Sequence, residues 1–112
     1  MQQEASSNGI AVVSVAGTLD ASTVGSFRQA VAETISSEDL VIDLSRLVFI
    51  DSSGLGALVG VIRRVRESGG QAAVACSSPV VTRVLCSAGL DRIVTVSESL
   101  DEATAALASA GG

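Results

Sequence analysis

The stretch from Leu40 to Arg66, LVIDLSRLVFIDSSGLGALVGVIRRVR, changes its apolar period partway along. Leu40 to Leu44 reads as a buried strand, whereas Leu55, Leu58, Val59, Ile62 and Val65 recur as one face of an amphipathic helix. Between the two lie Asp51, Ser52, Ser53 and Gly54, so an apolar segment delivers the chain to a helix through a turn that presents serines. A strand feeding a helix so directly is half of a β-α-β unit, and chains built from such units form mostly parallel sheets covered by helices.

The rest of the chain repeats that alternation. Polar residues 1–7 read as a short edge strand, because Asn8-Gly9 is a hairpin signal before a strand from Ile10 to Ala16. Val24, Phe27, Val31 and Ile35 follow at helical spacing from about Ser22 to Ser36. Arg63, Arg64 and Arg66 complement the carboxyl end of the central helix, and Gly69-Gly70 stops it. Gln71 to Ala75 is the next strand. Ser78-Pro79 then opens a helix with a capping serine and a first-turn proline, ending near Gly89. Arg92 to Val96 reads as the last strand, and Ser99-Leu100-Asp101-Glu102 as the capping box of a final Ala-rich helix.

The expected order is therefore β-β-α-β-α-β-α-β-α, an α/β domain over residues 1–112 with a mixed, mostly parallel sheet of four or five strands and about four helices. Composition agrees: 47% of residues are hydrophobic but only two are aromatic, which describes a core of Val, Leu, Ile and Ala. In open sheets of this kind, sites gather at the carboxyl ends of the strands. Three loops qualify, Thr18 to Thr23, Ile50 to Leu55 and Cys76 to Pro79, which places Asp20 and the serines at one end.

Charge and residue inventory remove whole classes of function. Twelve acidic residues against seven Arg and no Lys leave a net charge of -5, which repels nucleic-acid backbones and anionic membrane surfaces. The apolar run from Leu55 to Ile62 is far shorter than the roughly 20 residues of a membrane span. Residues 1–9 are polar and carry no secretory segment, so a cytoplasmic protein is expected. With no His and no Lys, neither a Ser-His-Asp triad nor a Ser-Lys pair can form, and the serines read as groups acted upon in a protein that is not an enzyme.

Cys76 and Cys86 are spaced too widely for a Cys-x-x-Cys pair and lack further ligands for zinc. Both read as reduced, mostly buried thiols; a disulfide would need Cα atoms within about 7 Å. Gly54-Leu55-Gly56 with Gly60 fits neither a dinucleotide fingerprint nor a phosphate loop. Gly56, Ala57 and Gly60 read instead as small residues that let the helix approach a neighbour. Asp51-Ser52-Ser53-Gly54 is either an ordinary helix cap with a preceding carboxylate or a phosphoacceptor, since a phosphate at a helix entrance meets free N–H groups and the positive end of the dipole.

The segment VIDLSRLVFIDSSGLGALVGVIRRV, with GTLDAST upstream and SSPVVTRVLCSAGL downstream, resembles the STAS domain family, specifically the bacterial anti-sigma factor antagonists. The likeness runs over nearly the whole chain in the same order and implies a small sheet of four or five strands with helices against it. It further implies a partner, an anti-sigma factor that is also a serine kinase, and release of a sigma factor on binding. In the resemblance Ser52 is the phosphorylated serine, phosphorylation ends binding, and a metal-dependent serine phosphatase resets the switch. Asp51 shapes the turn, Ser53 serves the helix entrance, Asp20 is an acidic group near the acceptor, and Thr23, Leu55 and Gly56 border the docking surface. The Ser78-Pro79 loop lies at its margin. ATP and magnesium belong to the kinase, so no cofactor is expected. Two other roles for a STAS domain stand beside this one: a scaffold subunit of a stress-signalling assembly, and a subunit of a transporter complex.

Overall fold

The computed structural model describes residues 2–5, 9–34 and 39–110. Its strands are β1 (Gln2–Ala5), β2 (Ile10–Leu19), β3 (Asp39–Ile50), β4 (Ala72–Ala75) and β5 (Thr95–Ser97). Its helices are α1 (Val24–Thr34), α2 (Ser52–Glu67), α3 (Pro79–Ser87) and α4 (Leu100–Ala110), with a 3-10 turn at Leu90–Arg92. The five strands lie side by side in chain order. β1 is antiparallel to β2, with Gln2 opposite Ser14, and the other three pairings are parallel. The expected mixed, mostly parallel α/β sheet with four helices is thus the observed one.

Chain-order parallel strands with right-handed crossovers must carry successive connecting helices on the same face of the sheet. Here Val13, Leu40, Ile42 and Leu44 pack with Phe27 of α1, Leu58 and Ile62 of α2, and Val81 and Leu85 of α3 in one core. Residues one position along the same strands point the other way. Ile10, Val12, Val41, Ala73 and Ala75 form a smaller core with Ala103 and Leu107 of α4. β4 and residues 40–42 of β3 are buried on both faces, and that is why each reads as an unbroken apolar run.

Several boundaries differ from expectation. β3 is twelve residues long and continues to Ile50, well past Leu44. It keeps pace with the shorter β2 through two irregularities: Ser14 pairs with Asp43 but Ala16 with Arg46, and Gly17 pairs with Leu47 but Thr18 with Phe49. At each step β3 carries one extra residue. The last strand starts at Thr95, because Gly89 at φ 82° lets the chain leave α3 straight into the 3-10 turn that occupies Arg92. Helix α1 begins at Val24; Asn8, Ile35 and Ser36 lie outside the described residues.

Helix ends follow the expected chemistry more closely. The Ser78 hydroxyl accepts from the Val81 N–H with Pro79 in the first turn. Gly69 adopts φ 92° beyond Ser68 to stop α2. The Ser99 hydroxyl accepts from Glu102 N–H at 3.1 Å, while the Glu102 carboxylate turns to the Glu98 N–H at 3.3 Å, so the box closes one residue early.

The buried face of α2 is also rotated from the expected stripe. It comprises Gly54, Ala57, Leu58, Val61, Ile62 and Val65, leaving Leu55 and Val59 only half-buried. A Cβ added at Gly56 or Gly60 would meet nothing within 4 Å, so neither glycine permits a close approach. Of the two free cysteines Cys76 is buried, but Cys86 is exposed on α3, which corrects the expectation for that residue. Among the described residues no helix is long and apolar enough to cross a membrane.

Candidate functional site

Strands β2 and β3 run on past the end of β4, which pairs no further than Ala75 with Asp43. The loops that follow β2 and β3 therefore sit together at the tip of a two-stranded extension. The link between them is direct: Asp51 N–H donates to the Leu19 carbonyl at 3.3 Å.

The β2 loop is a tightly bonded turn. The Asp20 carboxylate accepts from the Ser22 N–H at 2.9 Å and from the Ser22 hydroxyl at 2.6 Å. The Thr23 hydroxyl accepts from Asp20 N–H at 2.9 Å and donates to the Thr18 carbonyl at 3.0 Å. Thr23 is thus an internal strut of the turn, and half-buried. The Ser22 hydroxyl, followed by its N–H, holds the Asp20 carboxyl below the usual aspartate range. A folded-state value below the unfolded one stabilises the turn at pH above the unfolded value, and that stabilisation is lost as pH falls through the folded value. An NMR titration of the Asp20 carboxyl carbon is expected to give a midpoint below that of an unstructured aspartate, and Ser22→Ala should raise it.

The β3 loop is the entrance to α2. Asp51 has extended backbone, φ -111° and ψ -173°, and its carboxylate accepts from the Gly54 N–H at 3.0 Å. Asp51 is therefore the N-cap itself, one residue earlier than a serine cap would be. Ser52 and Ser53 are the first two residues of the helix, both exposed, and neither caps it. The carboxylate expected to precede the cap is thus the cap, and Ser53 lies inside the first turn. Asp51→Ala is expected to cost about 1 kcal/mol in urea denaturation, the usual loss on removing such a cap.

Gly54 explains how the two loops fit so closely. A Cβ there would overlap the Leu19 carbonyl oxygen and stand 2.8 Å from Ile50 Cγ1. The close approach expected of Gly56 and Gly60 is made here instead, at the junction of β2, β3 and α2.

Asp20, Thr23, Asp51, Ser52 and Ser53 are brought together at this tip. Leu55 and Gly56 lie on the flank of α2 and line a shallow cleft with Val59, Arg63, Gly89, Leu90 and Ile93. Cys76, Ser77 and Pro79 of the third loop line a separate cleft with Cys86 and Glu98. Among the described residues no hydrogen bond joins that loop to the Asp51 turn.

Two residues at the tip were absent from the sequence reading. Val48 is 71% exposed and Phe49 52% exposed, on the strand that leads into Asp51. Consecutive residues of a regular strand face opposite sides, but the extra residue of β3 between Leu47 and Phe49 turns both outward. An apolar patch thus adjoins the entrance of α2.

Comparison with known proteins identifies the family. The STAS domain family matches residues 3–103. An anti-sigma F factor antagonist of Paenibacillus polymyxa is 35% identical over 91 residues, covering 79% of this chain and 78% of that protein. The crystal structure of an anti-sigma factor antagonist from Mycobacterium paratuberculosis superposes with a TM-score of 0.85 at 31% identity, over 95% of this chain and 91% of that one. The Bacillus cell fate determinant SpoIIAA in its phosphorylated form gives a TM-score of 0.67 at 25% identity, over 92% and 95% of the two chains. With a family match over most of its length and the same overall fold, this chain belongs to the STAS domain family.

Proposed function

We propose that this protein is a cytoplasmic anti-sigma factor antagonist, a binding module without catalytic activity. Its unphosphorylated form binds an anti-sigma factor that is a serine kinase and so frees a sigma factor. Phosphorylation of Ser52 by that kinase ends the binding, and a metal-dependent serine phosphatase restores it. The relatives from Paenibacillus and Mycobacterium carry the antagonist name, and the Bacillus relative is known in a phosphorylated form.

The observation that carries the reading is the division of labour at the α2 entrance. Asp51 caps the helix, so the exposed Ser52 hydroxyl has no structural bond to lose among the described residues. An ester there adds about -1.5 to -2 charges at a helix N-terminus whose first N–H groups are free, so the fold tolerates it. The docking surface would not. It comprises Asp20, Thr23, Asp51, Ser53, Leu55 and Gly56, joined by Val48 and Phe49, and a dianion in its midst is costly to desolvate and repels Asp20 and Asp51.

The test is phosphosite mapping after incubation with ATP and the candidate anti-sigma kinases of the source bacterium. Stoichiometric phosphate on Ser52 from one kinase supports the switch. Stable binding to a partner without any phosphate would overturn it in favour of an unmodified scaffold or transporter-type STAS domain.

A further inference from the structure

A cleft of about 680 Å3 separates α1 from α2 at the end of α2 remote from Ser52. Arg63 stands roughly 16 Å along the helix from Ser52, at about 1.5 Å per residue. Arg28 of α1 and Arg63 and Arg64 of α2 line it, three of the seven arginines in a chain of net charge -5. All three are exposed, and among the described residues none makes a hydrogen bond or ion pair. Buried Val31 and Val61 supply apolar surface between them.

Gly60 also lines this cleft. Glycine inside a helix is destabilising relative to alanine. No packing requires it, because a Cβ at Gly60 would meet nothing within 4 Å. What its missing side chain does is keep the space between the arginines open.

We propose that this cleft is a binding site for a small organic phosphate, a phosphate ester with an apolar or aromatic body. Each guanidinium offers five N–H donors in a planar fork, and forks from two helices match a dianionic group with several oxygens better than a single carboxylate. The valines take the apolar body, and Glu67, the one acid of the lining, accepts from a hydroxyl on it. The volume is that of small-molecule sites, and the acidic balance of the whole chain disfavours a nucleic-acid strand.

The test titrates the full chain with phenyl phosphate, followed by 15N NMR. Saturable shifts are expected at the amides of Arg28, Gly60, Arg63 and Arg64. Arg28→Ala and Arg64→Ala should each weaken binding about tenfold, as loss of a charge-assisted fork does. Gly60→Leu, which fills the cleft, should abolish the shifts while Gly60→Ala retains them. Shifts that do not saturate, that map elsewhere, or that survive Gly60→Leu overturn the assignment. Co-sedimentation with phosphatidylglycerol vesicles without any response to phenyl phosphate also overturns it, in favour of a membrane surface. Should Gly60→Leu fail to fold, Arg64→Glu decides: binding undiminished by that charge reversal refutes the site.

Discussion

Gly54→Ala is expected to destabilise the protein by about 3 kcal/mol or more, the upper range for forcing atoms into a filled site. The added methyl would overlap the Leu19 carbonyl oxygen, which is backbone and already accepts the Asp51 N–H. It would also press on Ile50, a core residue only 6% exposed. Neither neighbour can swing aside as the end of a flexible side chain could, so relief requires α2 to lift away from the ends of β2 and β3. That movement would stretch the Gly54 to Asp51 bond that caps the helix. Against a typical total stability of about 5–15 kcal/mol, such a loss is readily measured in urea denaturation. Gly56→Ala is the matched control. It adds the same methyl two residues later, meets nothing within 4 Å, and should stabilise α2 by up to about 1 kcal/mol through helix propensity.

That contrast shows how far the chain could be read before its structure was known. Local signals transferred well. The Ser78-Pro79 opening of α3 and the Gly69 stop of α2 depend only on hydrogen bonds and φ angles within a few residues, and each is found where expected. The element order and the sheet class depend on apolar periodicity, which survives in a core almost wholly aliphatic. Glycines were a different matter. Gly54, Gly56 and Gly60 look alike in the chain, yet only Gly54 faces a neighbouring backbone, and that neighbour, Leu19, is far away in sequence.

The patch at Val48 and Phe49 was illegible for a related reason. A run of LVFI before a turn reads as buried strand, and its two ends, Leu47 and Ile50, are indeed buried. The outward turn of two successive residues comes from the mismatch between β2 and β3, which exists only once the strands are paired. The cap at Asp51 was misplaced by one residue because aspartate and serine are both good N-caps, and only backbone geometry decides which residue lies just outside the helix. The candidate site was therefore legible in its residue types, whereas its local geometry depends on tertiary contact.

Replacing Ser52 should separate the proposed switch from the fold, and here the largest functional effect is expected. Ser52→Ala removes a hydroxyl that makes no hydrogen bond among the described residues, so stability should change by no more than about 0.5 kcal/mol, as for an ordinary surface position. Binding to the anti-sigma kinase should persist, and phosphate incorporation should vanish. Ser52→Asp places a carboxylate at the first position of α2, where the helix dipole favours negative charge, so the folded state should be as stable or slightly more so. Partner affinity should nevertheless fall by about 100-fold, since roughly 2–3 kcal/mol is the scale of burying an ill-paired charge at an interface. Calorimetric titration of both variants, with thermal unfolding beside it, therefore sets a loss of binding against an undiminished fold. Equal affinity in the two would remove Ser52 from the mechanism, whereas a loss in Ser52→Asp with intact unfolding would locate the switch in the charge itself.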